Sequence, residues 1–214
     1  MQEAEEVIKI LQKRYKTKIT KEDPFRILIH VVLSARTKDT TTFPAQERLF
    51  KVANTPEKIL KLSTKKIEKL IYPVGFYRQK AKRLKKLCKM LIENFGERVP
   101  NNREVLMQLP GVGPKSAAIV LAYGFGIPTI AVDTHVNRIS QRLGWVNKNT
   151  KPEKTQIEIE KLIPKKYHLL ANHLLISFGR DVCRPIAPQC FRCPIYNYCK
   201  YEKKEYYKNK VEHS

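Results

Sequence analysis

The segment Leu109-Pro110-Gly111-Val112-Gly113-Pro114-Lys115 constrains this chain more than any other. It reads as the end of one helix, a tight turn with glycines two apart, and the start of a new helix, where proline suits the first turn. Apolar-periodic residues flank it on both sides, so it joins two packed helices. Glycine lets the backbone come close to a ligand, and the free amides of the new helix point outward, a site suited to one phosphate. Such a contact positions a protein on a polyanion without reading its sequence.

The remaining periodicity is also helical. Val7, Ile8, Ile10 and Leu11, with Tyr15 a turn later, form one face of a first helix, and a buried helix follows at 25–35. Ala81, Leu84, Leu87, Leu91 and Phe95 recur close to the helical period across 77–95. Asn101 or Asn102 can cap a helix over 103–109, and 134–143, 152–162 and 167–179 supply three more. No alternating pattern lasts long enough to build a sheet, so the expected class is all-α. The 214 residues suffice for one or two domains.

Charge narrows the partner. Lys and Arg number 42 against 20 acids, a formal +22, a field that attracts polyanions. Nucleic acid fits this excess better than an anionic membrane surface or a ribosome-type scaffold. The apolar stretches at 27–35 and 117–132 fall short of the ~18–20 residues that a membrane span needs. The acidic, then amphipathic, start lacks the features of a secretory signal, so an intracellular chain with reduced thiols is expected. Nine lysines and two arginines against Glu68 alone lie between Lys61 and Lys89. They surround the turn 72–77, placing aromatics beside basic residues, which suits a site that grips a backbone and wedges between bases.

Cys183-x6-Cys190-x2-Cys193-x5-Cys199 gathers four thiols within 17 residues, which reads as a metal site. Spacing alone permits a structural zinc with four thiolate ligands, and it differs from the common ferredoxin spacings. Cys88 reads as a core thiol. Asp133 precedes a helix and is a favoured N-cap. The Lys/Glu/Tyr tail after Cys199 is expected to fray.

LPGVGPKSA, IPTIAVDTHVNR and the four cysteines, together with LSARTKD (33–39) and VGFYRQKA (74–81), resemble the endonuclease III family of helix-hairpin-helix DNA glycosylases. The likeness runs from about Asp23 to Cys199. It implies two helical domains flanking a DNA-binding cleft. Residues 21–127 would form a helical barrel with the hairpin at about 102–124, and 1–20 with 128–214 a discontinuous iron–sulfur domain. The implied activity is a bifunctional DNA glycosylase and abasic-site lyase that excises oxidised pyrimidines from duplex DNA in base excision repair. Lys115 would attack C1′ of the damaged nucleoside, and Asp133 would help deprotonate it and stabilise the cationic transition state. A helix N-terminus and a dry pocket would lower the proton affinity of Lys115.

By the same resemblance, Cys183, Cys190, Cys193 and Cys199 would hold a [4Fe-4S] cluster. Gly111, Val112, Gly113 and Arg184 would touch the DNA backbone. Phe76 would act as a wedge and Arg36 would enter the space vacated by a flipped nucleotide. These two depart from the family's usual leucine and glutamine, and Pro114 replaces a common arginine. Asp39 reads either as a pocket residue or as a cap or salt-bridge partner; His135 is expected to be structural and Arg138 to meet phosphate or acids. The expected partner is double-stranded DNA containing damaged bases or abasic sites, bound by a monomer associated with the nucleoid in the cytoplasm. A mismatch-specific glycosylase of the same superfamily and a non-catalytic DNA-binding relative are the alternatives.

Overall fold

Five helix starts along the chain coincide with side chains that cap them. In the computed structural model, which describes residues 2–17 and 19–209, Asp23 accepts from the Arg26 amide at 2.7 Å and Pro24 opens the helix. Thr55, Ser63, Asn102 and Asp133 likewise accept from the amides of Lys58, Lys66, Val105 and Val136. Each such cap satisfies a donor that the helix itself cannot. The helices are α1 (Gln2–Arg14), α2 (Pro24–Ser34), α3 (Asp39–Val52), α4 (Pro56–Lys61), α5 (Thr64–Ile71) and α6 (Tyr77–Phe95). Then come α7 (Arg103–Gln108), α8 (Pro114–Ile119), α9 (Thr134–Arg142), α10 (Pro152–Leu162), α11 (His168–Asp181) and α12 (Lys204–Asn209). A π-helical stretch, Val120–Phe125, prolongs α8. The fold is all-α, with no strand among the described residues. None of the described helices is long and apolar enough to cross a membrane.

The chain divides into two units, one Lys21–Gly126 and the other Met1–Thr20 with Ile127–Ser214. In the first, α6 packs on α4 and α5, and α2 packs on α3 and the π-helical stretch. Leu28, Ile29, Leu33, Leu49, Ile67 and Leu84 are fully buried there.

The second unit joins segments from both ends of the chain. Ala4, Val7, Ile8 and Leu11 of α1 enter a core shared with Ile139 and Phe178 of α9 and α11. Fully burying a Val, Leu or Ile contributes about 1.5–3 kcal/mol, so these residues give α1 a strong reason to dock. Ile8→Ala would leave a cavity costing about 2–5 kcal/mol. The tail expected to fray instead forms α12, whose Lys204 and Lys208 ammonium groups each lie 4.8 Å from the Tyr196 ring centroid. The part of that tail beyond Asn209 lies outside the described residues.

Candidate nucleic-acid interface and thiol cluster

The hairpin is built by a short run of backbone bonds. The Leu109 amide donates to Leu106, Val112 to Leu109, and Ala117 to Gly113, which closes α7, turns the chain and opens α8. Gly111 has φ +90, a left-handed conformation that favours glycine, and lies against the Arg83 side chain. Gly113 has extended backbone and its missing Cβ faces open space. Val112 is buried and anchors the turn. Lys115 follows in the first turn of α8 and is exposed, not enclosed in the dry pocket expected of it.

Arg36 and Phe76 lie in the same unit and line one cavity with Ala35, Gln79, Lys80 and Arg83. Both adopt left-handed backbone, φ 54 and φ 58, at the C-terminal side of α2 and the N-terminal side of α6. Phe76 is 57% exposed. A left-handed non-glycine residue costs about 1–3 kcal/mol and persists only where its neighbours dictate it. A second patch, lined by Lys65, Glu68, Lys69, Tyr72, Tyr77 and Arg78, carries the basic and aromatic side chains together. The Tyr72 and Tyr77 rings meet edge to face at 5.5 Å. Asp39 opens α3, with Oδ1 3.7 Å from His30 Nε2, a spacing that makes an ion pair when the ring is protonated.

In the discontinuous unit, Asp133 caps α9 by accepting from Val136 at 2.9 Å. The segment leading to it is held on both sides. The Ile130 amide and the Thr129 hydroxyl donate to Glu160 at 2.8 and 2.5 Å, and Asn172 donates to the Ala131 carbonyl at 2.5 Å. His135 packs against Gly179, where a Cβ would come within 2.8 Å of Nδ1, and burial lowers its proton affinity. Arg138 turns inward. Its guanidinium donates to Cys183 O at 2.8 Å and to Gly179 O at 3.3 Å.

Cys183, Cys190, Cys193 and Cys199 are all free thiols and line one cavity with Leu143, Phe178 and other apolar residues. Among the described residues, no three His, Cys, Asp or Glu side chains converge on a point suited to a single metal ion. Burial pushes Cys190 up to about 11 and Cys193 up to about 12. Thiols in such surroundings release their protons when a cation takes their place. Arg184 is exposed and presents its side chain beside Arg180, whose carbonyl it meets at 3.4 Å. Cys88 is a buried core thiol.

The residue that sequence reasoning missed is Arg142, in the last turn of α9. Its guanidinium donates to Cys183 Sγ at 3.2 Å, Arg184 O at 2.8 Å and Pro185 O at 3.2 Å, and stacks 4.3 Å from the Tyr201 ring centroid. The only local signal was its place one turn after Arg138 on the same helix face.

A model of the HhH-GPD superfamily base excision DNA repair proteins matches residues 29–165. Endonuclease III of Thermotoga maritima is 43% identical over 200 residues, covering 94% of this chain and 93% of its own. The chain belongs to the endonuclease III family. The solved structure of a trapped endonuclease III–DNA covalent intermediate superposes with a TM-score of 0.85 at 36% identity, covering 96% of each chain. A thermostable thymine-DNA glycosylase also superposes with a TM-score of 0.85, at 27% identity, covering 95% of this chain and 98% of its own. The protein is therefore a base excision repair DNA glycosylase.

Proposed function

We propose that the protein is a bifunctional glycosylase and abasic-site lyase for oxidised pyrimidines in duplex DNA, with Lys115 as nucleophile. The observation that carries this reading is Lys115 itself, exposed in the first turn after a hairpin whose Gly113 leaves the backbone uncovered. In the reaction, Lys115 Nζ bonds to C1′ as the glycosidic bond breaks and the base departs with a proton. The C1′–O4′ bond then breaks as O4′ takes a proton, the ring-opened iminium acidifies C2′, a proton leaves that carbon, and the C3′–O3′ bond breaks to release the 3′ phosphate. Water then hydrolyses the imine and frees the lysine. Asp133, oriented by its capping bond, is the carboxylate assigned to offset positive charge on the sugar.

Gly111, Val112 and Gly113 hold a phosphate, Phe76 wedges into the stack, Arg36 occupies the vacated space, and Arg184 adds a backbone contact. Cys183, Cys190, Cys193 and Cys199 hold a [4Fe-4S] cluster. The donor set fits: four free thiols line an apolar cavity, and Arg142 already donates to one of the sulfurs. A cluster bound there would cross-link the 183–199 loop. The enzyme works as a monomer on nucleoid DNA in the cytoplasm.

The test is a duplex bearing one thymine glycol. The protein should nick it without added alkali, and cyanoborohydride should trap a protein–oligonucleotide adduct. Lys115→Gln should abolish both while DNA affinity stays within about twofold. Normal nicking by the variant would sink the assignment. A G·T mismatch duplex is the companion arm, because the thymine-DNA glycosylase likeness makes base release there without nicking the competing outcome. Purified protein should be yellow-brown; a colourless preparation with bound zinc would overturn the cluster.

A further inference from the structure

Lys80 is a lysine the reaction above does not use, and it is almost fully enclosed, at 2% exposure. It lies in the first turn of α6, four residues after Phe76. Its Nζ donates to Leu33 O and Ala35 O, both at 2.7 Å, and to Thr37 Oγ1 at 3.0 Å. The three donors of the ammonium thus meet three oxygens, all from the chain that ends α2 and carries Arg36. Thr37 Oγ1 has a second task, accepting from the Gly75 amide at 3.2 Å. One hydroxyl therefore bridges the turn bearing Arg36 and the turn bearing Phe76. The packing is close: a Cβ on Gly75 would stand 3.1 Å from that oxygen.

Both turns hold a non-glycine residue in left-handed backbone. Conformations of that cost require over-determination by their surroundings. Lys80 and Thr37 supply it, by fixing the Leu33 and Ala35 carbonyls on the approach to Arg36 and the amide just before Phe76. Burial and the nearby Arg83 charge push Lys80 down to about 8, while the three oxygen acceptors favour its protonated form. Because its donors are occupied and its nitrogen is shielded, Lys80 is not a second nucleophile.

We propose that Lys80 and Thr37 form a latch that sets the spacing of Arg36 and Phe76, and so positions the two side chains that replace an extruded nucleotide. The inference rests on the reading of Arg36 and Phe76 given above. It makes the latch a determinant of extrusion and leaves the covalent chemistry at Lys115 untouched.

The experiment uses the full-length protein, with Lys80→Met and the gentler, isosteric Thr37→Val. Two substrates are compared under single-turnover conditions: an intact duplex with one thymine glycol, and a single strand carrying an abasic site, which has no stack to open. Lys80→Met should slow duplex excision about tenfold or more while single-strand nicking stays within about twofold; misplacement of positioning groups carries losses of that order. Thr37→Val should show the same selectivity at smaller size. Equal slowing on both substrates, or unchanged duplex excision, overturns the latch.

A second measurement needs no catalysis. Amide hydrogen exchange of the DNA-free protein should accelerate about tenfold or more in 34–38 and 74–77 together when Lys80 becomes methionine. Acceleration in one turn alone, or in neither, overturns the proposal even if the enzyme acts on other lesions. If the exchange result appears but wild-type protein excises no pyrimidine lesion, the fault lies with the proposed function and the latch stands.

Discussion

Asp181 accepts from Tyr15 at 2.7 Å and Arg14 at 3.1 Å on one oxygen, and from Arg192 at 2.5 Å on the other. The Tyr15 hydroxyl, followed by the Arg192 and Arg14 guanidinium groups, holds its carboxyl down at about 2, from an ordinary 3.8. A carboxylate whose proton affinity is lower in the folded than in the unfolded state stabilises the fold above the unfolded value. That contribution fades as pH falls from about 4 toward 2. With 32% of the side chain exposed, solvent screening reduces the effect to about 1 kcal/mol. Asp181→Asn should therefore lower the urea midpoint at neutral pH and flatten the stability profile between pH 4 and 2. An unchanged profile would show that the three bonds contribute nothing net. At the same scale, Lys80 and Arg142 show why some of the site could not be read locally. A buried lysine looks like any other in a run of nine, and an arginine that meets a sulfur 41 residues away carries no mark of it in sequence.

At the scale of elements, legibility followed periodicity. Apolar spacing predicts a helix over 77–95, and α6 spans Tyr77–Phe95. The Asn102 cap and the proline after the hairpin likewise fix α7 and α8. The helix α3 gave little signal because its first turns hold three threonines and Pro44, poor helix formers that tertiary packing overrides. There Gln46 bridges to α2, donating to Arg26 O at 2.7 Å and meeting His30 at 2.9 Å. Gly124 lies inside the π-helical stretch, set close against Pro24, and Gly126, at φ 71, ends it. In the loop 183–199, cysteine spacing suggests a ligand framework but carries no mark of a segment held by α9. Arg142→Ala should remove that hold and destabilise the protein by about 1–3 kcal/mol. It should also shorten the lifetime of the visible absorbance in air. Absorbance as durable as wild type would mean that the arginine does not support the loop.

For the whole molecule, charge decides how the protein meets its substrate. A chain of +22 that neutralises six or more phosphates releases their counterions on binding. Duplex affinity should then fall roughly a thousandfold between 50 and 200 mM salt, as measured by anisotropy. A flat response over that range would contradict a basic DNA surface.

The discontinuous unit has an implication for biosynthesis. Its first helix leaves the ribosome long before the segment against which it packs, since Tyr15 must wait 166 residues for Asp181. The intervening unit has every one of its own partners in hand by Gly126 and can fold while translation continues. The greasy stripe of the opening helix stays uncovered through that interval, so a ribosome that stalls short of the final helices releases a chain whose middle is finished and whose beginning is adhesive.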